Sequence, residues 1–503
     1  MFTKSSAAAG YGRVPTLTNA LLPILALGAV FAFLTCYFLF DRQPAIAWAI
    51  LTISASGAVA ARRFRDHGVL DPLGIFSFAF AAYNGVLLLR LASMQDPTAT
   101  VYPWPFTQDA YAAAGVLDAM AALTIFITAH FLERLYPTNK LSRPITVRDP
   151  GRSATAWLNA GIAVYAIGIS MYFLQYQQIG GYLAGLKSGR GNRFEAFHEA
   201  ALSWPYLAFV LPGLAAMWYA AEQSPTKVKK WVARSALLLW CGLLLPQGER
   251  LLVIQAILAV MAVTFVIRGR KLRVGLGLCF LLLLAYCGAA FFGYARVLIA
   301  PRVSGEITNT DMEYFLDNQA IFDQIKPEHT ELAAPYLSLL QIVTGSEGDI
   351  LLGNSYAIAV MSVIPKALYP GTKPIYLSER FANTIHAGKG PVSGWGFNPV
   401  AEAYLNFGVF GVIPTFMLWT IGFYVLGTWK MYPPIGVLAF AVLLPEAIDA
   451  NRIDFRNVFC IIVYFTAGVG ITFIVSKVFH PREIGTQSRR IRPSVPFGAR
   501  RLV

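Results

Sequence analysis

Four arginines stand out for what their side chains can bind: Arg190 and Arg193 in Gly189-Arg190-Gly191-Asn192-Arg193, Arg250 in the tight Pro246-Gln247-Gly248-Glu249-Arg250 turn, and Arg380. A guanidinium keeps its charge and presents a planar donor fork that matches phosphate oxygens bidentately. Several at one surface suit a pyrophosphate group. Two further residues, Glu402 and His386, could accept a proton from a nucleophilic hydroxyl if they lie within hydrogen-bond reach. Asn406 follows Glu402 by one helical turn on the same face, and Trp395 offers an aromatic surface. Each has a plainer reading. Arg250 can pair with Glu249 or anchor at an interface, and a lone histidine is more often structural. Glu402 suits the first turn of a helix, where the dipole stabilises a carboxylate. No outer Asp-x-Asp or histidine cluster asks for a metal. No cofactor is indicated either, because Gly388-Lys389-Gly390 lacks the Walker spacing and a following Ser or Thr.

The elements that must position these residues are membrane helices. Of 503 residues, 56% are hydrophobic and 14% charged, with mean hydropathy +0.54, whereas a soluble domain carries roughly a quarter charged residues. The chain therefore reads as an all-α polytopic membrane protein. Its five cysteines all fall in apolar runs, so neither a disulfide framework nor a zinc site is expected. A bilayer asks for about 20 apolar residues per helix. About twelve candidate spans meet or approach that length: 19–40, 44–61, 71–92, 109–131, 154–175, 203–221, 234–247, 251–267, 274–293, 404–427, 434–448 and 457–477. The first is expected to be a retained span rather than a cleaved signal peptide.

Most of the 41 lysines and arginines fall in alternate connections, with Arg62, Arg63, Arg65, Arg134, Lys227, Lys229, Lys230, Arg234, Arg268, Lys430 and the basic tail on one side. Cytoplasmic loops carry that excess, so both termini are expected in the cytoplasm. The net charge of +14 then reads as a topology anchor near anionic lipid, with no nucleic-acid partner. The cations that defy the trend are the outer ones, Lys187, Arg190, Arg193, Arg250, Arg296, Arg302, Arg380, Arg452 and Arg456.

Four regions follow: spans 1–9 over 1–293, a large outer loop over 294–403, spans 10–12 over 404–477, and a basic tail over 478–503. The loop holds seven Lys or Arg and eleven Asp or Glu, so it is not a generic polyanion patch. It is too long for a connector, and its frequent bulky anchors argue for order. Ile350–Ile364 reads as an interfacial or re-entrant helix, too short to span. The glycines of 388–396 permit close backbone approach to a ligand. Asn398-Pro399 is a helix start, an N-cap followed by proline at the first helical position, and it leads into Glu402 and Asn406.

The run Ile364-Pro365, Tyr369-Pro370, Lys373-Pro374, Gly394-Trp395-Gly396-Phe397 and Glu402-Ala403-Tyr404-Leu405-Asn406-Phe407-Gly408, placed after a tight Gly248-Glu249-Arg250 turn and a large outer loop, resembles the Wzy-type O-antigen polymerases. The likeness covers about 243–411 in motifs and the whole chain in topology. The resemblance implies a metal-independent GT-C-like glycosyltransferase of the bacterial inner membrane with a partly helical periplasmic loop. Such an enzyme takes a glycan from undecaprenyl pyrophosphate and joins it to another lipid-linked repeat unit, for O-antigen, capsule or exopolysaccharide. Arg250, Arg190, Arg193 and Arg380 would then bind pyrophosphate, Glu402 or His386 would act as the base, Asn406 would support them, and Trp395 would stack on sugar. Its partners would be undecaprenyl-pyrophosphate-linked oligosaccharides and membrane lipids, with a chain-length regulator as a candidate. Two rivals remain open. An O-antigen ligase would use the same donor, although the surroundings of His386 do not reproduce a ligase histidine motif. A lipid-linked glycan flippase or other transporter favours internal repeats and mid-span charges, and neither a repeat nor a mid-span acid is expected here, with Asn84 and Pro212 the notable interruptions.

Overall fold

In a computed structural model the described residues are 44–93, 106–136, 150–187, 206–247, 249–272, 333–345, 350–364, 369, 377–378, 380–381 and 396–480, with the side chains of 150–152 and 250 not among them. Every regular element among them is helical. In chain order they are α1 (Pro44–His67), α2 (Pro72–Ser93), α3 (Gln108–Leu135), α4 (Pro150–Gln177), α5 (Tyr182–Lys187), α6 (Leu207–Gln223), α7 (Lys227–Leu244) and α8 (Arg250–Ile267). There follow α9 (Ala333–Val343), α10 (Asn354–Ser362), α11 (Pro399–Phe407), α12 (Val409–Trp429), α13 (Ile435–Leu443), α14 (Glu446–Asp449) and α15 (Phe455–Val478). Six helices, α1, α2, α3, α4, α12 and α15, are long and apolar enough to cross a membrane.

The helix starts follow local chemistry. Asp71 caps α2 by accepting from Gly74 N–H, with Pro72 at the first helical position, and Asp454 caps α15 by accepting from Asn457 N–H. Asn398 caps α11 through Val400 N–H, ahead of Pro399, as the Asn-Pro pair leads one to expect. Two of the expected spans are broken, and α7 begins at Lys227 where the sequence reading starts its span at 234. The run 404–427 is two helices, because Gly408 takes φ +65°, a left-handed conformation open to glycine. The run 434–448 is likewise two, α13 and the single turn α14, meeting at Pro445. The expected spans 19–40 and 274–293 lie outside the described residues.

Small residues set the closest helix contacts. Where α4 crosses α6, a Cβ on Gly213 would meet the Tyr165 backbone N at 2.6 Å, and one on Gly161 would meet Gly213 O at 2.8 Å. Without a hydrophobic drive between helices in lipid, such close backbone approach carries association. Pro212 has no N–H to offer Ala208 O within α6. Gly468 of α15 packs there, and a Cβ on it would stand 1.7 Å from that oxygen. Asn84 also acquires a role, lying in a π-helical segment, Ala81–Val86, within α2. Its side-chain oxygen accepts from Asn398 Nδ2 at 2.7 Å.

The bundle has two chemically different ends. At one, Arg63 of α1 donates to both oxygens of Asp71, at 2.9 and 2.7 Å, and to Glu133 of α3, under the Tyr424 ring. Lys271 Nζ donates to Asp66 O, Arg268 pairs with Glu222, and Lys229 reaches Thr155. Among the described residues, Arg62, Arg63, Lys229, Arg268 and Lys271 are thus gathered at one end. At the other, the first turns of α8 meet α14, with Gln255 Nε2 donating to Asp449 at 3.1 Å, and α15 begins.

Candidate active site

The second end carries a cavity of about 90 Å³ lined by Leu351, Asn354, Ser355, Ile358, Leu377, Arg380, Glu402, Asp454 and Arg456. It lies between α10, α11 and the start of α15. Backbone and side-chain contacts hold these pieces together. Leu351 N–H donates to Leu405 O at 2.9 Å, and Phe397 N–H donates to Arg452 O at 2.9 Å. Ser378 donates to Asp454 Oδ2 from its hydroxyl at 2.9 Å and from its N–H at 3.3 Å. That contact carries Arg380 to the mouth of α15.

Glu402 is buried in this wall, 2% exposed. Its Oε1 accepts from Ser355 Oγ at 2.7 Å, and its Oε2 accepts from Phe455 N–H at 2.6 Å. Burial first, and then the neighbouring Asp454, push the Glu402 carboxyl up to about 8, against the pull of those two hydrogen bonds. Burial raises Asp454 too, opposed by the donors of Ser378 and Asn457. Two carboxyls in one dry site resist sharing two negative charges. The pair therefore holds one proton readily, and Arg380 and Arg456 line the same cavity. Arg456, 5% exposed, sits on the first turn of α15. Two guanidinium groups in one cavity lining can bind an anion, and a carboxyl of that lining, once ionised, can accept a proton from a bound hydroxyl.

The residues singled out in the sequence fall into three groups. Arg380 and Glu402, 22 positions apart, meet at this cavity. Asn406 does not line it: its Nδ2 donates to Ser355 Oγ at 2.7 Å and to Glu402 O at 2.8 Å, and its Oδ1 accepts from Ser355 N–H at 3.4 Å. It holds the serine that holds Glu402. Arg250 opens α8, but its side chain lies outside the described residues, as do Arg190, Arg193, His386 and Trp395 in full.

The glycine-rich stretch needs a correction at its described end. Gly396, at φ +74°, approaches no ligand but the chain itself, since a Cβ there would meet Arg452 O at 2.3 Å. The close approach expected of these glycines is, at this position, what lets Phe397 bond to the turn before α15.

Asp454 and Arg456 complete the cavity, and neither stood out as a site residue. Arg456 was visible only as one outer cation among several, and the signal for Asp454 was its position as an acidic N-cap. The expected absence of a mid-span acid also fails. Asp118 lies fully buried inside α3, where its Oδ2 accepts from the Tyr336 hydroxyl of α9 at 2.8 Å. The signal for it in the sequence is an isolated acid in an apolar run. Among the described residues no group of histidine, cysteine, aspartate and glutamate has the arrangement of a metal site. Comparison with protein-family models, characterised proteins and solved structures finds no match to this chain.

Proposed function

We propose that the chain is a polytopic membrane glycosyltransferase that polymerises undecaprenyl-pyrophosphate-linked oligosaccharide repeat units at the periplasmic face of the bacterial inner membrane. The observation that carries this reading is the convergence of Arg380 and Arg456 with the Glu402–Asp454 carboxyl pair at one cavity, at the end of the bundle away from the gathered cations. Excess Lys and Arg mark the cytoplasmic side, which supports an outer position for the cavity in this reading.

In this reading the acceptor sugar hydroxyl attacks the anomeric carbon of the donor glycan. The new glycosidic C–O bond forms as the bond from that carbon to the pyrophosphate oxygen breaks, and the leaving oxygen takes the bonding pair. Arg380 and Arg456 stabilise the charge growing on the pyrophosphate, a task fixed cationic donors perform without reorganisation. Glu402, ionised, accepts the hydroxyl proton, and Asn406 and Ser355 fix its orientation. Arg250, Arg190 and Arg193 supply further pyrophosphate contacts, and Trp395 a sugar-stacking face.

One observation favours a transporter instead, namely the buried Asp118–Tyr336 pair, since acids inside spans mark ion and proton pathways. Purified protein incubated with lipid-linked repeat units and no energy source separates the two readings. An enzyme extends the glycan into a ladder and releases undecaprenyl pyrophosphate, whereas a transporter leaves single units unchanged. Ligase activity appears in a disrupted strain as unattached polymer on the carrier, and a polymerase defect as single repeat units on the acceptor.

A further inference from the structure

A second cavity, of about 70 Å³, opens at the opposite end of the bundle, lined by Trp218, Ala221, Glu222, Lys230, Ala233, Arg234 and Arg268. It is formed where the last turns of α6 and α8 meet the first turns of α7. Two of its basic side chains, Lys230 and Arg234, suit an anionic group the size of a phosphate.

The charges around it do not cancel. Glu222 is already taken, because Arg268 donates to both its oxygens at 2.9 Å. Lys230 and Arg234 are left, and among the described residues no carboxylate pairs with either. Lys227 and Lys229 join them on the same two turns, and the first turn of α7 holds no acid. Cations there oppose the helix dipole, whose positive end is the N-terminus. The Thr226 side chain does not cap that end. An anion in the cavity would answer Lys230 and Arg234 together and lower the excess of positive charge that Lys227 and Lys229 add nearby.

The neighbourhood says where such an anion comes from. Trp231, 63% exposed, stands beside Arg234, whose guanidinium lies 5.9 Å from its ring centroid. One to two turns further on, Leu238 and Leu239 are exposed. From the exposed leucines toward the helix start come Arg234, long enough to snorkel, then the exposed Trp231 and then Lys230, Lys229 and Lys227, the order of hydrocarbon, interface and headgroup layer. The cavity therefore sits at headgroup depth.

From this the geometry points to a binding site for the phosphate of an anionic phospholipid, with Lys230 and the Arg234 fork as its principal ligands. A zwitterionic headgroup carries its own ammonium into a site that is already cationic and binds less well.

The test uses the full-length protein, delipidated in detergent and titrated with phosphatidylglycerol, phosphatidylcholine or inorganic phosphate, with bound lipid counted by native mass spectrometry. Wild type is expected to retain phosphatidylglycerol at least tenfold more tightly than phosphatidylcholine. Lys230→Gln/Arg234→Gln should lose that preference, and Lys230→Arg/Arg234→Lys should keep most of it. The control Arg65→Gln/Arg134→Gln, which removes two cations elsewhere at the same end, should behave as wild type. Equal retention of the two lipids by wild type overturns the proposal, as does an equal loss in the control, which would mean that binding follows total charge. Inorganic phosphate competing at the same concentration as the lipid would also overturn it, by making the ligand a soluble anion. Should the glutamine variant fail to fold, the charge-preserving variant and the lipid comparison on wild type still decide.

Discussion

At the scale of single residues the account rests on Glu402 and what surrounds it. An acid whose folded pKa is raised is protonated over a wider range and becomes a base only as pH climbs through that value. The rate of chain extension is accordingly expected to rise with pH through about 8, and Glu402→Gln should abolish that limb as well as lower the rate. The same shift has a stability sign. The contribution of Glu402 to folding is full below the ordinary carboxylate range and is lost as pH rises toward about 8, so thermal unfolding in detergent should move to lower temperature over that window. Ser355→Ala removes the donor to Oε1 and with it one influence that favours the carboxylate. Its pH limb should move to the alkaline side; an acid shift would show that Ser355 does not act on Glu402. Asn406→Ala, which frees the same serine and leaves a buried partner unmet, should cost about 1–3 kcal/mol of stability.

At the scale of elements, the helix carrying Glu402 is placed by its ends. Asn398 caps α11 and also donates to Asn84 of α2, so Asn398→Ala loses a cap, worth about 0.5–2 kcal/mol, and a link between spans. Gly396→Ala forces a Cβ against Arg452 O in a left-handed backbone position. That variant should insert normally yet lose activity, because the Phe397–Arg452 bond that registers α11 on α15 is disturbed. At the other end, Arg63→Ala strands Asp71, which is fully buried. Breaking a buried pair costs about 3–5 kcal/mol, so a marked fall in melting temperature is expected. These elements also show how far the sequence could be read. The Asn398-Pro399 start of α11 and the short helix within 350–364 were legible because capping and breaking are local chemistry. The breaks at Gly408 and Pro445 had a local signal in the glycine and the proline, but one such residue inside a long apolar run does not say whether the helix stops or continues, as Pro212 within α6 shows. The cavity was half legible. Arg380 and Glu402 carry recognisable chemistry, but Asp454 and Arg456 join them only through the fold, by the Ser378–Asp454 contact and the burial of the first turn of α15.

For the whole molecule, described cations gather at one end of the bundle and the cavity lies at the other. The headgroup site proposed near α7 belongs to the first end and the proposed glycosyl-transfer site to the second, so each can fail without the other. The most direct test of the central claim is the rate at which purified protein extends lipid-linked repeat units, compared between wild type and the variants Arg380→Ala, Arg456→Ala and Glu402→Gln at matched folded content. Loss of a fixed charge-stabilising donor typically lowers a rate by about 10²–10³-fold, and falls of that order are expected for both arginine variants, with Glu402→Gln also losing its pH dependence. Rates within twofold of wild type for all three, from correctly folded protein, would contradict the assignment of this cavity as the active site.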